Sequence, residues 1–219
     1  MTKSKIFSKA EIREGRLLFS QSCTFLLSAT EPNQIPNSAI PEVAFAGRSN
    51  VGKSSLINAL TNQNGLARTS KTPGRTQQIN FFLLGQRLVL TDLPGYGYAN
   101  APKNIVANWN NLCKLYLRGR AQLRRCLLLI DSRHGLKPND MEAMELLDNT
   151  AQPYQIILTK CDKINLNSVR LLRNEIAATF SKHTAAHPQV AVSSSTKGNG
   201  LDELRASIAA LAYPKNGNP

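Results

Sequence analysis

The feature that most restricts the fold of this chain is an eight-residue segment with two glycines, a lysine and a serine at fixed positions. Gly47-Arg-Ser-Asn-Val-Gly-Lys-Ser54 matches the pattern G-x-x-x-x-G-K-[ST] and follows a short apolar stretch, Val43 to Ala46. In this pattern successive backbone N–H groups converge on phosphate oxygens, and the glycines permit the tight turn. The residues after it, Ser54 to Leu60, are typical of a helix. The segment therefore predicts a phosphate loop between a strand and a helix.

Every residue of this loop is a candidate for nucleotide contact. The Lys53 ammonium group is expected to reach the β- and γ-phosphates, and the Ser54 hydroxyl is expected to bind magnesium. The dipole of the helix that starts here adds to the attraction for phosphate. The predicted phosphate-binding residues are Gly47, Arg48, Ser49, Asn50, Val51, Gly52, Lys53 and Ser54.

Apolar runs alternate with helical patterns through most of the chain. The predicted strands are 43–46, 79–84, 87–91, 126–130, 154–158 and 190–192, and the predicted helices are 54–60, 102–119, 138–149, 165–182 and 201–211. Uninterrupted apolar runs are typical of strands that are buried on both faces of a parallel sheet. We therefore expect an α/β fold with a mostly parallel six-stranded sheet, helices on both faces, and chemistry at the carboxyl ends of the strands.

The two ends of the chain lack this alternation. Residues 1–16 are basic and polar, and 31–41 contain three prolines, which is typical of an extended linker. Residues 213–219 have the composition of a frayed tail. We expect an N-terminal extension and linker over 1–40, one nucleotide-binding domain over 41–212 and a tail over 213–219.

A second candidate segment, Asp92-Leu-Pro-Gly95, follows the strand predicted over 87–91. An aspartate at the end of a strand beside a phosphate loop is placed to orient magnesium through a water molecule. The Gly95 N–H can meet the γ-phosphate, and Leu93 and Pro94 complete the segment. The pattern D-x-x-G alone is usually only a turn, so its weight comes from its position after a strand.

Two polar segments follow later strands and indicate which base is bound. Thr159-Lys-Cys-Asp162 places a carboxylate where it can accept hydrogen bonds from guanine N1–H and N2–H₂, a donor pair that adenine lacks. The stem of Lys160 can lie along the face of the base. Ser193-Ser-Ser195 follows the last strand, where backbone N–H groups can meet the guanine carbonyl oxygen. Taken alone, each segment is also compatible with an ordinary surface turn.

The charge balance indicates an anionic partner. The chain has 27 Lys and Arg residues against 14 Asp and Glu, a net charge of +13 and a pI near 9.9. Such a field attracts phosphate backbones or anionic membranes, although a merely basic, soluble surface is the alternative. RNA is favoured over a membrane because no amphipathic helix with a bulky apolar face accompanies the charge. The candidate RNA contacts, with the aromatic residues Trp109 and Tyr116 nearby, are Lys114, Arg118, Arg120, Arg124 and Arg125, and on a later helix Arg170, Arg173 and Lys182. For each basic residue a solvated helical face is the alternative, and Trp109 is expected to pack in the fold and not to stack on a base.

Cysteine and histidine usage indicates neither a metal site nor a disulfide framework. The four cysteines are widely spaced and form no C-x-x-C pair, which favours a reducing cytosol. His134, His183 and His187 form no ligand arrangement and are expected at the surface or in loops. No run approaches the ~18 apolar residues that cross a bilayer. We expect a cytoplasmic protein that is a monomer and binds neither membrane nor DNA.

Three segments give the chain a family resemblance. Lys71-Thr-Pro-Gly-Arg-Thr-Gln77, Asn80-Phe-Phe82 and Asp92-Leu-Pro-Gly-Tyr-Gly-Tyr98 together resemble the EngB (YihA/YsxC) family of bacterial GTPases, over about Ile40 to Leu211. The resemblance implies a Ras-like P-loop GTPase fold and the binding of GTP or GDP with Mg²⁺. It also implies a role in assembly of the large ribosomal subunit and a requirement in normal cell division and septation.

The resemblance also implies roles for particular residues. Thr76 would supply a second hydroxyl to magnesium beside that of Ser54, and Asp92 would begin the second switch. The first switch would contact the nucleotide through Gly74, Arg75, Thr76, Gln77 and Gln78. The guanine pocket would be lined by Thr159, Lys160, Cys161, Asp162, Ser193, Ser194 and Ser195.

Two positions depart from the wider GTPase pattern. Thr159 stands where the guanine-binding pattern N-K-x-D has Asn. The side-chain amide that braces the pocket is therefore missing, and the Thr159 hydroxyl is expected to replace part of its hydrogen bonding. Tyr96 follows Gly95 where Ras-like proteins carry the glutamine that orients the attacking water, and slow intrinsic hydrolysis is expected for this reason. A partner or a cation is expected to complete the site, and potassium at Asn50 is a hypothesis. The expected catalytic residues are Lys53, Asn50, Thr76 and Gly95.

Two other functions are compatible with parts of the sequence. A P-loop ATPase or kinase is disfavoured by Thr159 to Asp162 and by the lack of a pattern for a lid or an acceptor-binding domain. A scaffold that binds RNA and hardly turns over nucleotide is kept open by Tyr96. The resemblance to the EngB family implies the large ribosomal subunit, with its rRNA and proteins, as the partner.

Overall fold

A computed structural model describes residues 7–67, 78–97 and 111–212. The strands in these ranges are β1 (Cys23–Ala29), β2 (Glu42–Gly47), β3 (Ile79–Leu84), β4 (Leu88–Asp92), β5 (Leu123–Asp131), β6 (Tyr154–Thr159) and β7 (Ala191–Val192). The helices are α1 (Lys9–Phe19), α2 (Lys53–Thr61), α3 (described over 111–117), α4 (Pro138–Asn149), α5 (Leu166–Thr179) and α6 (Leu201–Ala209). Short 3₁₀ helices lie at Pro32–Gln34, Cys161–Lys163 and Phe180–Lys182.

The strands form a mixed sheet in the order β1-β3-β4-β2-β5-β6-β7. β4, β2, β5, β6 and β7 are parallel, whereas β3 runs antiparallel to β4 and to β1. Gly85 and Gln86 join β3 to β4 with φ values of 54° and 58°, as in a type I′ hairpin turn. The predicted α/β class with a mostly parallel sheet is confirmed, but within the described residues the sheet has seven strands and the predicted number was six.

The strand that the sequence did not predict is β1, in the segment expected to be an extension. It forms the edge of the sheet next to β3 and leaves Phe25 and Leu26 exposed. An edge strand needs no uninterrupted apolar run, so its sequence carries no clear strand pattern. The preceding helix, α1, packs on α6 so closely that a Cβ atom on Gly15 would lie 2.5 Å from the backbone nitrogen of Ala206. The predicted domain boundary at 40/41 stays a prediction.

The two faces of the sheet bury separate apolar clusters, as β2 shows. Val43 and Phe45 point to one face, where they pack with α1, α2 and α6. Ala44 and Ala46 point to the other face, which α3, α4 and α5 cover. Each fully buried Leu, Ile or Phe side chain contributes about 1.5–3 kcal/mol. The centre of the sheet is thus the rigid support from which the loops at its edges extend.

A buried group of polar side chains lies at the amino end of β2, and we call it the Glu42 cluster (Glu42, Tyr116 and Arg120). Glu42 is 0% exposed, and it accepts hydrogen bonds from the Tyr116 hydroxyl (2.9 Å) and from the Arg120 guanidinium. Arg120 also lies over the Tyr116 ring, 5.2 Å from its centroid. The expectation that Tyr116 and Arg120 contact RNA is therefore wrong, because both are committed to a buried carboxylate.

Arg125 is also removed from the expected RNA contacts. Its guanidinium donates to Gln155 Oε1 (3.1 Å) and to Ser207 Oγ (3.0 Å). Lys114, Arg118 and Arg124 are exposed, whereas Trp109 lies outside the described residues. Only the exposed members of the predicted patch can take part in a surface contact.

His183 lies in a loop, one of its two predicted positions, but it is buried and not at the surface. It is 6% exposed, and its Nδ1 lies 2.6 Å from Asp148 Oδ2 at the end of α4. The carboxylate also accepts the backbone N–H of Ala185 (2.9 Å). No local pattern predicts this bond, because its partners are 35 residues apart.

Most predicted helices are present with small shifts at their ends. α4 has the predicted bounds, and α5 with the following 3₁₀ turn covers the segment predicted over 165–182. Of the helix predicted over 102–119, residues 111–117 are helical and residues 102–110 lie outside the described ranges. In the part of the chain that the structure describes, none of the helices has the length and apolar character needed to cross a membrane.

Candidate nucleotide-binding site

The phosphate loop lies between the carboxyl end of β2 and the first turn of α2. Gly52, the residue before α2, has φ 108°, a conformation that is open mainly to glycine. α2 begins at Lys53, and the N–H groups of its first turn have no partners within the helix. Such groups, aligned with the helix dipole, attract phosphate. The structure thus contains the strand, loop and helix that the motif predicts.

The lysine of this loop and the aspartate at the end of β4 lie next to each other. Lys53 Nζ is 3.7 Å from Asp92 Oδ1, and this buried oxygen has no partner within hydrogen-bond distance among the described residues. Burial raises the pKa of Asp92, and Lys53 offsets part of the rise. An unsatisfied carboxylate oxygen and the Ser54 hydroxyl at the start of α2 are oxygen ligands of the kind that magnesium prefers. These residues therefore fit the ion that the phosphate loop implies.

The residues after Asp92 lie against the phosphate loop. The N–H of Tyr96 donates to the carbonyl of Gly47 (3.3 Å), and the N–H of Ser49 donates to the carbonyl of Tyr96 (3.1 Å). A Cβ atom on Gly95 would lie 2.8 Å from Ser49 Oγ, so only glycine permits this approach. Gly95 is thereby held beside the loop that is predicted to bind the phosphates.

Lys160 crosses from the end of β6 to the phosphate loop. Its Nζ donates to the carbonyl of Asn50 (2.6 Å) and lies 2.9 Å from Asp131 Oδ2. Arg133 bonds to the same carboxylate through Nε (3.0 Å) and Nη2 (2.7 Å). Burial raises the pKa of Asp131, but the bonds from Arg133 and Lys160 outweigh this effect and lower the pKa overall. Asp131 is therefore ionised at neutral pH and orients Lys160.

Thr159 connects the same strand to the loop by a second bond. Its hydroxyl donates to the carbonyl of Val51 (2.8 Å), and the residue is 3% exposed. A buried hydroxyl that finds an acceptor avoids the free-energy cost of an unpaired polar group. The Thr159 hydroxyl therefore joins the end of β6 to the phosphate loop by a hydrogen bond.

Asp162 lies just beyond β6 and is bonded to the last polar segment. The Ser194 hydroxyl donates to Asp162 Oδ1 (2.7 Å), and this bond is the main reason that the pKa of Asp162 is lowered. An ionised carboxylate only accepts hydrogen bonds. That property is what the two donors on the Watson–Crick edge of guanine require.

The last polar segment offers fewer N–H donors than the sequence predicts. The N–H of Ser193 donates to the carbonyl of Leu158 (2.7 Å), and that of Ser194 donates to the carbonyl of Asn199 (2.9 Å). The first bond continues the pairing of β7 with β6, and the second closes the turn after β7. Of the three serines, Ser195 is left for the predicted contact with the guanine carbonyl, which corrects the expectation for Ser193 and Ser194.

Known proteins match this chain over most of its length. Residues 42–160 match the family model described as a 50S ribosome-binding GTPase. A protein of Rhodospirillum rubrum named probable GTP-binding protein EngB is 52% identical over 208 residues, which are 93% of this chain and 90% of that protein. The chain belongs to the EngB family. It is thus an EngB-type P-loop GTPase, and the predicted family and enzyme class are confirmed.

Other EngB proteins and solved structures of related proteins also match this chain. The protein of the same name from Caulobacter vibrioides is 50% identical over 205 residues, covering 94% of this chain and 90% of that protein. A crystal structure of a probable GTP-binding protein EngB matches with a TM-score of 0.62 at 26% identity, over 78% of this chain and 97% of that chain. Era in complex with MgGDPNP and nucleotides 1506–1542 of 16S ribosomal RNA matches with a TM-score of 0.63 at 25% identity, over 82% of this chain and 58% of that chain.

The first switch of this EngB-family chain lies mostly outside the described residues. Gly74, Arg75, Thr76 and Gln77 fall between the ranges 7–67 and 78–97, so their predicted roles stay predictions. This includes the hydroxyl of Thr76 as a ligand of magnesium. Gln78 is described and is exposed directly before β3.

Two acidic residues at the site were missed by the motifs. Asp131 ends β5, and the rule that chemistry collects at the carboxyl ends of parallel strands could have identified it. Asp140 lies in α4 and bonds to Arg48 and Tyr96. No pattern in the sequence marks Asp140, because its partners lie 92 and 44 residues away.

Proposed function

We propose that this chain binds GTP and GDP with magnesium at the carboxyl edge of its sheet and acts as a slow switch in assembly of the large ribosomal subunit. The observation that carries the proposal is the convergence of distant segments on one phosphate loop. Asp92 lies beside Lys53, and Lys160 bonds to the carbonyl of Asn50. The phosphates, the metal and the base of one nucleotide therefore have candidate partners within a single site.

Magnesium is proposed to bind the Ser54 and Thr76 hydroxyls, with Asp92 orienting it through water. The ion, when bound, neutralises charge that develops between the β- and γ-phosphates. The Lys53 ammonium group is proposed to stabilise the same negative charge from the phosphate loop. The Gly95 N–H is proposed to donate a hydrogen bond to the γ-phosphate. Asp92 Oδ1, which lacks a hydrogen-bond partner among the described residues, supports this assignment.

Competition binding tests the preference for guanine. Fluorescent GDP is bound to the wild type, to Asp162→Asn and to Glu203→Gln, and GTP, GDP or ATP is then added as a competitor. Glu203 is an exposed residue of α6 and serves as the control position. The wild type and Glu203→Gln are expected to release the probe to GTP and GDP but not to ATP. Asp162→Asn is expected to lose on the order of 100-fold of this selectivity, because the guanine donors lose their acceptor. Equal displacement by ATP from the wild type would contradict the guanine assignment.

Slow intrinsic hydrolysis is proposed from the residue that follows Gly95. Tyr96 offers no amide to orient water, and its hydroxyl donates to Asp140 instead (2.9 Å). Addition of large ribosomal subunits is therefore expected to raise single-turnover GTP hydrolysis by at least tenfold, or about 1.4 kcal/mol of barrier. Binding of the subunits without any acceleration would favour an RNA-binding scaffold that hardly turns over nucleotide.

A potassium ion is proposed beside Asn50 as part of the same site. Asn50 is exposed in the phosphate loop with φ 61°, and its carbonyl is already bonded to Lys160, which leaves its side-chain amide for the ion. Exchange of sodium for potassium is expected to raise turnover about tenfold. Equal turnover in the two salts would exclude the ion.

The large ribosomal subunit is proposed as the partner on the basis of charge and of the family. The net charge of +13 favours an rRNA surface, and the matching family model is described as a 50S ribosome-binding GTPase. Lys114 and Arg118, which are exposed at α3, are the proposed phosphate contacts. Lys9 and Arg13, with the same spacing on α1, lie on the opposite side of the sheet and form a matched control.

The salt dependence of ribosome binding tests this surface. Replacing Lys114 and Arg118 by Gln is expected to weaken binding and to reduce the slope of log K against log salt by about 1.5. The same change at Lys9 and Arg13 is expected to leave the slope unchanged. Equal effects of the two double variants would mean that only net charge matters and would remove α3 as the contact.

We also propose that the protein is cytoplasmic and monomeric, and that it affects cell division and septation. If the effect on septation is a consequence of ribosome shortage, depletion of the protein first leads to incomplete large subunits and only later to septation defects. The reverse order, in a depletion time course with sucrose-gradient profiles, would indicate a direct role in division.

A further inference from the structure

A buried cluster behind the second switch contains an acid that belongs to no motif. We call it the Asp140 cluster (Arg48, Tyr96 and Asp140). Asp140 is 0% exposed, and its Oδ1 accepts the Tyr96 hydroxyl at 2.9 Å. Arg48 Nε lies 3.2 Å from Oδ1 and 3.1 Å from Oδ2, and the Lys137 N–H donates to Oδ2 (2.9 Å). The cluster therefore joins the phosphate loop, the second switch and the start of α4.

Each member of the cluster has a defined role in its hydrogen bonding. The Arg48 guanidinium compensates the buried negative charge and also donates to the carbonyl of Gly135 (3.3 Å). Burial and the neighbouring carboxylate of Asp140 raise the pKa of Tyr96 well above its ordinary value. The phenol therefore stays protonated at physiological pH and acts as a donor. Hydrogen bonds to a buried charge are among the stronger ones in proteins.

The backbone at Tyr96 is paired with the phosphate loop at the same time. Its N–H and that of Ser49 both donate to carbonyls across this pairing, so neither is available to a phosphate oxygen. The carbonyl of Tyr96, an acceptor, also faces the loop. The pairing also holds Gly95 against Ser49, so closely that a Cβ atom on Gly95 would lie 2.8 Å from Ser49 Oγ. A γ-phosphate that binds the Gly95 N–H has to be accommodated at this contact, whereas a diphosphate carries no such group. The arrangement in the structure is thus the one that a diphosphate leaves undisturbed.

We propose that Tyr96 and Asp140 are positioning residues of the second switch, whose hydrogen bond stabilises its pairing with the phosphate loop and so favours the diphosphate-bound state over the triphosphate-bound state. This inference rests on the proposed function, since it concerns the regulation of the same site. A ligand shifts such an equilibrium only as far as its affinities for the two arrangements differ. Weakening the Tyr96–Asp140 bond therefore strengthens triphosphate binding relative to diphosphate binding.

Tyr96→Phe tests the inference because it removes the hydroxyl and keeps the ring. Tyr116→Phe is a matched control, since the Tyr116 hydroxyl also donates at 2.9 Å to a buried carboxylate, Glu42, that is paired with an arginine. Fluorescence titration measures Kd for GDP and for a non-hydrolysable GTP analogue. Tyr96→Phe is expected to lower the ratio of the analogue Kd to the GDP Kd about tenfold, which is 1.4 kcal/mol. Tyr116→Phe is expected to leave the ratio unchanged.

Three results overturn the inference. The first is a ratio within twofold of the wild type in Tyr96→Phe, the second is a rise of the ratio, and the third is an equal change in Tyr116→Phe. Asp140→Asn is a second variant with the same expected direction, so a folding defect in one of them does not remove the test. A wild type that binds neither nucleotide contradicts the proposed function itself, whereas tight binding with an unchanged ratio contradicts only the positioning role.

Discussion

The Glu42 cluster and the Asp140 cluster are built from the same three types of side chain. In each, a tyrosine hydroxyl donates at 2.9 Å to a carboxylate that is 0% exposed, and an arginine pairs with that carboxylate. Their positions differ. Glu42 is the first residue of β2, whereas Arg48 follows the last residue of the same strand.

This difference in position separates a structural role from a role in the switch. Arg120 also donates to the carbonyl of Pro36 (2.8 Å), so the Glu42 cluster joins the segment before β2 to the body of the fold. The Asp140 cluster instead joins elements that surround the candidate nucleotide site. Parallel strands collect their functional loops at the carboxyl edge of the sheet. The same chemistry therefore stabilises the fold at one edge, and we expect it to position a switch at the other.

The largest effect is expected from Arg120→Met at the amino edge. The substitution leaves Glu42 buried without its positive partner, and breaking a buried pair in this way costs about 3–5 kcal/mol. Urea unfolding should show this loss, and the ratio of GTP-analogue to GDP affinity should stay at the wild-type value. A changed ratio would break the comparison, because the Glu42 cluster would then also influence the switch.

Asp92→Asn tests the carboxyl edge and should have two opposite effects. Loss of a carboxylate that orients magnesium through water is expected to weaken magnesium affinity by about 10–100-fold, measured by titration of the nucleotide complex. Stability should rise at pH 7. Because folding raises the pKa of Asp92, its contribution favours folding at low pH and is lost as pH rises through the folded pKa.

A neutral asparagine removes this unfavourable contribution of the ionised Asp92. Urea midpoints of the wild type and of Asp92→Asn, both without nucleotide, measure the gain at pH 7. A lower midpoint in the variant would show that the carboxylate supports the fold and would weaken the distinction between the two edges.

Arg205→Met is expected to have a moderate effect that is limited to stability. Arg205 donates from Nε to the carbonyl of Leu60 (2.9 Å) and from Nη2 to that of Ala59 (2.8 Å), at the end of α2. Loss of these bonds should lower the free energy of unfolding by about 1–2 kcal/mol. GDP affinity should remain within twofold, because the bonded end is the one farthest from the phosphate loop. A larger loss of GDP affinity would mean that α2 transmits changes to the loop.

The smallest effect is expected from Asp131→Asn, and it depends on pH. Folding lowers the pKa of Asp131, so its stabilisation is present above the unfolded pKa and is lost as pH falls through the folded pKa. Arg133 is partly exposed to solvent, and the loss at pH 7 should therefore be below about 1 kcal/mol. Unfolding measured between pH 7 and pH 2 should show the difference between the two proteins shrinking as the pH falls. A difference that is as large at pH 2 as at pH 7 would exclude the ion pairs as its cause.

Sequence patterns predicted the elements whose signal is local. The spacing of Gly47, Gly52 and Lys53 predicted the phosphate loop, and the uninterrupted apolar runs predicted β5 and β6. β1 was not predicted, because an edge strand is buried on fewer sides and shows a mixed pattern. The N–H groups of Ser193 and Ser194 were expected to contact guanine, but the first bonds to Leu158 in β6 and the second closes a turn at Asn199. The order of residues does not reveal which N–H groups a neighbouring strand or a turn already uses.

The family, the phosphate loop and the carboxylate of Asp162 as the candidate for guanine follow from the amino-acid sequence alone, because each is encoded in a short run of residues. Which charged side chains pair with each other becomes visible only in the folded chain. Arg120 and Arg48 are both basic residues next to polar segments, yet each is bound to a buried acid from a distant part of the chain. Such pairs form only when the sheet brings its helices together, since a charge can be buried only where its partner is also present.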